Sequence, residues 1–176
     1  MFQPTERFQK ALAERMNSSP VNARLLLVSA DIQYDETPLP EGTLSVLRKC
    51  SKYGFTLNVS QTLGENTLNQ VCAHALAHVI LHSAKFEDGD DHVDMLKGYD
   101  SPFPNTADIS ANQDAAADRL AIELLIPTVT LREQLLYTQG NFKAMAAHFQ
   151  QPVALIHRAL VLQKLMDPRS TTLEAA

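Results

Sequence analysis

His74 and His78, spaced four residues apart, are the residues of this chain whose types and spacing best suit metal chemistry. Each residue of an α-helix turns about 100°, so these two side chains lie on one helix face, one turn apart. Both imidazoles can therefore reach one ion, and imidazole is a common ligand of Zn²⁺. Such pairs also occur as surface or core histidines, so a metal site requires a third ligand from elsewhere in the chain.

Ala75, which follows the first histidine, bears on the chemistry of such a site. In metal-dependent peptidases with the motif H-E-x-x-H, this position carries the glutamate that acts as the general base. Position 75 is therefore the catalytic position, and alanine at it predicts a site that binds zinc but lacks the carboxylate needed for hydrolysis. A general base contributes roughly 10²- to 10⁴-fold to a rate, so activity is expected to be nearly absent. The alanine is either natural or an engineered inactivating substitution; the intact motif around it favours the second.

Asp114 and Asp118 are the candidates for the rest of the site. They lie one helical turn apart and are separated by three alanines, which would let their helix approach the histidine helix closely. Asp114 is the preferred third metal ligand. Asp118 would lie behind a ligand histidine and accept its N–H, which orients the ring and raises its basicity. The alternative for both is an exposed helix carboxylate.

Other residues near the motif fit a metal ion less well. His82 shares the face of His74 but lies about 12 Å away along the helix, so it is expected in the core or behind a ligand histidine. Cys72 points away from His74 and is expected to be a small buried residue. Glu123 falls on the opposite side of its helix from Asp114. The acidic run at 87–91 lacks the ligand pattern of a calcium loop and is expected to be solvated.

Composition restricts the class of protein. The 176 residues, 45% of them hydrophobic, predict one compact unit with a proper core. The net charge of -5 argues against direct binding of nucleic acid. Only two cysteines occur, and the sequence has neither a secretion signal nor a long apolar run, so we expect a cytoplasmic protein that does not enter a membrane.

The periodicity of apolar residues predicts an α+β fold in which a small, largely antiparallel sheet packs on helices. The apolar run in 24–34 and the alternating residues of 43–47 and 55–59 predict strands, all before residue 60. A polar stretch at 84–109 predicts a long loop. Helices are predicted at 5–16, 65–83 and 110–126, with two or three short helices over 129–166. The predicted organisation is a zincin-like unit at 1–128, a C-terminal helical extension at 129–166 and a flexible tail at 167–176.

Two segments resemble the ImmA/IrrE family of zinc metallopeptidases, which are gluzincin-like proteins of bacteria, phages and mobile elements. Residues 73–82, AHALAHVILH, are similar to the family's A-H-E-L-G-H-x-L-L-H, and residues 114–127, DAAADRLAIELLIP, are similar to E-x-x-A-N-x-F-A-x-E-L-L-M-P. Asp114 then stands where the family has its metal-binding glutamate. An alternative alignment places that ligand at Ala116 and would leave it missing; the spacing of Asp114 and Asp118 favours the first.

The resemblance implies Zn²⁺ as the cofactor and a partner protein, a helix-turn-helix transcriptional repressor, as the substrate. With Ala75, this chain is expected to be an inactive or nearly inactive form of such an endopeptidase. The alternative is a natural non-catalytic protein that keeps the fold to bind and regulate a partner. A DNA-binding regulator is disfavoured, because the second helix of the possible helix-turn-helix at 142–165 is too apolar to read a groove. The sequence indicates no oligomeric state.

Overall fold

The elements of the chain are described by a computed structural model over residues 2–16, 19–96 and 105–167. In chain order they are α1 Glu6–Met16, α2 Ala23–Ser29, β1 Gln33–Thr37, β2 Thr43–Cys50, β3 Gly54–Ser60, α3 Glu65–His82, β4 Asp91–Met95, α4 Ala111–Leu125, α5 Thr128–Tyr137, α6 Phe142–Phe149 and α7 Val153–Leu162. The predicted α+β class, the three long helices and the helical C-terminal region are confirmed. Of the predicted flexible tail, residues 168–176 lie outside the described residues.

The four strands form one sheet in the order β1-β3-β2-β4. β2 pairs antiparallel with both β3 and β4, whereas β1 pairs parallel with β3, so the sheet is mixed and, as predicted, largely antiparallel. Leu57 and Val59 of β3 are fully buried, and the sheet packs on α3. The sheet therefore supports one side of the helix that carries His74 and His78.

The prediction of a strand at Leu25–Val28 is wrong, because this run lies within α2. The side chain of Asn22 caps the helix and accepts a hydrogen bond from the N–H of Leu25. Leu26 and Leu27 are buried while the flanking Leu25 and Val28 are largely exposed, which suits one face of a helix. A run of four apolar residues is ambiguous by periodicity alone, and the cap favours the helix here.

The predicted loop at 84–109 contains β4, which the sequence analysis missed. Both carboxylate oxygens of Asp91 accept hydrogen bonds from the guanidinium of Arg48 in β2, at 2.7 and 2.6 Å. The backbone N–H of Asp91 donates to the hydroxyl of Thr106 at 2.8 Å. Asp91 is therefore buried and paired rather than solvated, in contrast to the prediction for the acidic run. Residues 97–104 of the predicted loop lie outside the described residues.

Helices α3 and α4 pack directly against each other. Both helices carry small buried residues, among them Ala73 and Ala77 of α3 and Ala117 of α4, and small side chains let two helix backbones approach closely. The side chains of Ser110 and Gln113 form a capping box at the start of α4. This box fixes the first turn of α4, where Asp114 lies, next to the histidines of α3.

Candidate metal centre

Four side chains from three elements converge at one point of the fold. His74 and His78 come from α3, His92 from β4 and Asp114 from α4, and one donor atom of each lies within 4.8 Å of the others. The structure thus brings together the three residues that the sequence singled out as metal ligands. It adds His92, which the sequence analysis missed because it placed this residue in a loop.

The spacing of the four donor atoms suits a small tetrahedral ion. Nε2 of His78 lies 3.0 Å from Nε2 of His74 and 3.2 Å from Oδ1 of Asp114. The same Oδ1 lies 3.3 Å from Nε2 of His74 and 3.6 Å from Nε2 of His92. Ligands held about 2.0–2.1 Å from a tetrahedral Zn²⁺ would be about 3.3 Å from one another. These four separations are therefore close to those between the ligands of one zinc ion, and all of the donor atoms lie within 4.8 Å of one another.

The burial of the histidines also fits a metal ion. His78 is 0% exposed and His92 is 5% exposed. Neither ring nitrogen of His92 has a hydrogen-bond partner among the described residues. Buried polar atoms are nearly always satisfied, so an unpartnered nitrogen that faces three other donors calls for a ligand. A bound metal ion would provide that partner to Nε2.

Further groups lie behind the two histidines of α3. Nδ1 of His74 lies 3.1 Å from Oδ1 of Asp118, whose other oxygen accepts a hydrogen bond of 2.8 Å from Arg158 of α7. Nδ1 of His78 lies 3.3 Å from Nδ1 of His82. Asp118 and His82 thus lie beside the ring nitrogens that face away from the donor cluster. Groups in such positions hold a ligand ring in one orientation and one tautomer.

Asp94 is a second residue of the site that the sequence analysis missed. Its Oδ1 lies 3.5 Å from Nε2 of His74 and 3.5 Å from Nε2 of His92. The hydroxyl of Ser45 on β2 donates to its other oxygen at 2.8 Å. His92 and Asp94 are two apart on a strand and so share a face, which is the one sequence signal that could have indicated them.

The carboxylates of the site create a strongly negative environment. Burial alone would lower the pKa of His74, but Asp114 and Asp118 outweigh it and raise that pKa to about 10. Burial likewise opposes the charged form of His92, whereas Asp114 and Asp94 raise its pKa to about 9. The pKa of Asp114 itself is held far below its usual range by the three histidines. The cluster therefore stabilises positive charge, which a metal cation can supply in place of protons.

Ala75 lies in the apolar core, directly beside this cluster in the sequence. It is 1% exposed and belongs to the same buried group as Ala73 and Leu76. A methyl group can neither accept nor donate a proton. The side chain at position 75 therefore contributes packing to the site and no acid or base.

A cavity of about 310 Å³ opens beside the donor cluster. Its apolar lining comes from strands and helices: Leu44, Val71, Met95, Ala121, Ile122, Leu125 and Leu155. Its polar lining includes His74, Asp94, Asp114, Asp118 and Arg158. The cavity therefore has apolar walls for a side chain and three carboxylates at the edge that adjoins the candidate metal centre.

Two histidines on one helix and a carboxylate on its neighbour, beside a mixed sheet, define this chain as a candidate metal-binding protein. The IrrE N-terminal-like domain, Peptidase M78, matches residues 29–160. Because that match covers most of the chain, the protein belongs to this metallopeptidase family. No curated protein matches the chain. None of the helices within the described ranges is long and apolar enough to cross a membrane.

Proposed function

We propose that this chain is a zinc-binding member of the Peptidase M78 family that binds a protein partner and hydrolyses it slowly or not at all. The observation that carries the proposal is a complete set of metal donors next to an alanine at position 75. In a site of this family with one position open to substrate, zinc would supply the Lewis acidity that polarises a peptide carbonyl. His74, His78 and Asp114 would hold the ion, while Asp118 and His82 orient the two imidazoles.

Asp94 is a carboxylate beside the donor cluster that could replace the missing base, and its environment makes it a weak base. Burial would raise the pKa of Asp94, but the imidazoles of His92 and His74, each 3.5 Å from its Oδ1, bring that pKa below its ordinary value. The hydrogen bond from Ser45 acts in the same direction. A general base works best when its pKa lies near the working pH, so Asp94 is poorly suited to take a proton in hydrolysis.

We propose a helix-turn-helix repressor as the partner. The family resemblance supports this choice, and so does charge, because DNA-binding proteins carry basic surfaces whereas this chain has a net charge of -5. Asp94, Asp114 and Asp118 add negative charge at the cavity beside the site. An extended basic segment of the partner with one apolar side chain would match both the carboxylates and the apolar walls.

The proposal is tested by mixing the zinc-loaded chain with a purified candidate repressor and following both binding and mass. We expect a complex in which the repressor stays intact. Thr67→Arg, at the rim of the cavity, should weaken the complex, whereas Gln61→Arg, on an exposed turn after β3, should not. Cleavage of the repressor by the unaltered chain, lost on addition of a chelator, would show an active peptidase instead.

The second candidate function is endopeptidase activity in a form with glutamate at position 75. It is favoured by the position of Ala75 next to the ligand His74, with the rest of the donor set present. In that case Ala75→Glu should raise cleavage of the partner by at least the roughly 10²-fold expected of a positioned general base. A chelator should abolish the gain. A folded, zinc-loaded variant that cuts no faster than the unaltered chain would exclude this candidate.

A further inference from the structure

We propose that His92 is a fourth protein ligand of the zinc site and that it closes the site to solvent and substrate. This inference rests on the proposed function, since it requires that the chain bind zinc. Hydrolytic zinc sites have three protein ligands and one open position, whereas structural sites have four protein ligands. With His92, this chain has the donor set of a closed site.

His92 is held in place by the sheet. It pairs with Leu47 across the antiparallel β2–β4 ladder, and the neighbouring Asp91 is fixed to Arg48 by two hydrogen bonds. Because side chains alternate along a strand, the ring of His92 lies on the same face as Asp94, next to α3. The bidentate ion pair between Arg48 and Asp91 holds β4 next to His92, so the imidazole of His92 has one defined position.

The contacts of His92 suit a metal ligand better than a substrate-binding group. Its Nε2 lies 3.6 Å from Oδ1 of Asp114, close to the separation expected between two ligands of one zinc ion. The centroid of its ring lies 4.2 Å from that of His78. Both of its ring nitrogens are buried and lack a hydrogen-bond partner among the described residues. A nitrogen that contacts substrate would need an exposed position, which this one does not have.

Asp94 covers one remaining side of the donor cluster. Its Oδ1 lies 3.5 Å from both His74 and His92, and Ser45 holds its other oxygen. Ala75 and His92 both distinguish this site from a hydrolytic zinc site, and both point to a site without catalysis. Ala75 removes the general base, and His92 fills the position that a hydrolytic site leaves open. Both changes favour a zinc ion that holds α3, α4 and β4 together.

The ligand set can be counted by X-ray absorption at the zinc edge of the unaltered, zinc-loaded chain. We expect three imidazoles and one oxygen ligand at about 2.0–2.1 Å. In the Co²⁺-substituted chain, added azide should leave the visible spectrum unchanged, because no position is free. In Co²⁺-substituted His92→Ala, azide should change the visible spectrum. The zinc affinity of this variant should fall by more than roughly 10- to 100-fold, which is the loss typical when a group that only supports a metal ligand is removed. His157→Ala, a partly buried histidine of α7, is the matched control and should behave like the unaltered chain.

The outcomes separate this inference from the proposed function. Absence of zinc from the unaltered chain would refute the proposed function itself. Zinc bound by two imidazoles, together with azide binding to the unaltered Co²⁺ protein, would overturn the role of His92 and leave the metal site standing. A strong gain of activity in Ala75→Glu with His92 present would also overturn it, because a closed site cannot hydrolyse. If His92→Ala fails to fold, the absorption and azide results for the unaltered chain decide alone.

Discussion

The imidazole of His74 contacts most of the other groups of the candidate metal centre. Its Nε2 lies within 3.5 Å of His78, Asp114 and Asp94, and its Nδ1 lies 3.1 Å from Asp118. Through Asp118 it is connected to Arg158 of the C-terminal helix α7. A single substitution behind His74 should therefore affect metal binding without removing a metal ligand.

Asp118→Asn is expected to lower zinc affinity by roughly 10- to 100-fold, the range found when the group behind a ligand histidine is lost. The physical reason is that an amide stabilises the oriented ring of His74 less than a carboxylate does. Competition with a chelating dye measures the change. Glu123→Gln, an exposed carboxylate on the same helix, is the control. Equal affinities of the two variants would show that Asp118 does not support the site.

The two cysteines should differ in reactivity. Cys72 is fully buried, and burial raises the pKa of its thiol to about 12, whereas Cys50 is partly exposed. At about pH 8 a thiol reagent should modify Cys50 in the native protein and reach Cys72 only after unfolding. The pKa of Cys72 is higher in the folded chain than the ordinary thiol value of 9.0. Its neutral thiol therefore contributes fully to stability below about pH 9, and this contribution is lost as the pH rises from there toward 12. Rapid modification of both thiols in the native state would contradict this.

At the residue scale, the sequence predicted the donors whose spacing is local. His74 and His78 share a helix, and Asp114 lies in a segment with its own helical pattern, so periodicity was enough to single them out. His92 and Asp94 could not be found in this way. Aspartate and histidine have little preference for strands, and their position depends on pairing with β2, more than forty residues earlier.

At the scale of elements, the site depends on how α4 begins. The Ser110 hydroxyl accepts the N–H of Gln113, whose side chain accepts the N–H of Ser110. Asp114 is the next residue, so this cap sets the position of the carboxylate nearest to the three histidines. The stability of this helix end and the geometry of the metal site should therefore be coupled.

Ser110→Ala is expected to lower the free energy of unfolding by about 0.5–2 kcal/mol, as losses of helix caps do. It should also weaken zinc binding, because the first turn that carries Asp114 becomes less ordered. Asn141→Ala removes the corresponding cap of α6, where the side chain accepts the N–H of Ala144. This control should show a similar loss of stability in urea with unchanged zinc affinity. The same zinc affinity in both variants would mean that the cap does not position Asp114.

Helices and strands could be predicted from the sequence only where a local pattern distinguishes one from the other. Helices α3 and α4 were predicted because their helical periodicity extends over many residues and Pro127 marks the end of the second. The short run Leu25–Val28 was misassigned because four apolar residues fit a strand and a helix equally well. The parallel pairing of β1 with β3 places β2 on the other side of β3, and nothing local in the sequence specifies such an order.

At the scale of the whole molecule, three elements meet at one point: strand β4 of the sheet and the two helices α3 and α4, which pack against each other. The C-terminal helix α7 joins them through Arg158 and through Leu155 in the wall of the cavity. A metal ion at this point would connect elements that are distant in sequence. Because it would bind only the folded chain, it should raise the thermal stability of the protein.

The chain is expected to hold zinc although position 75 is alanine, and elemental analysis measures this most directly. Protein purified without added metal should contain about one zinc per chain, and Asp114→Ala, in which a half-exposed ligand is removed, should contain far less while remaining folded. His78→Ala should also lose the metal, although His78 is fully buried and this variant must first be shown to fold. Zinc absent from the unaltered chain, or present at the same level in folded Asp114→Ala, would contradict the account.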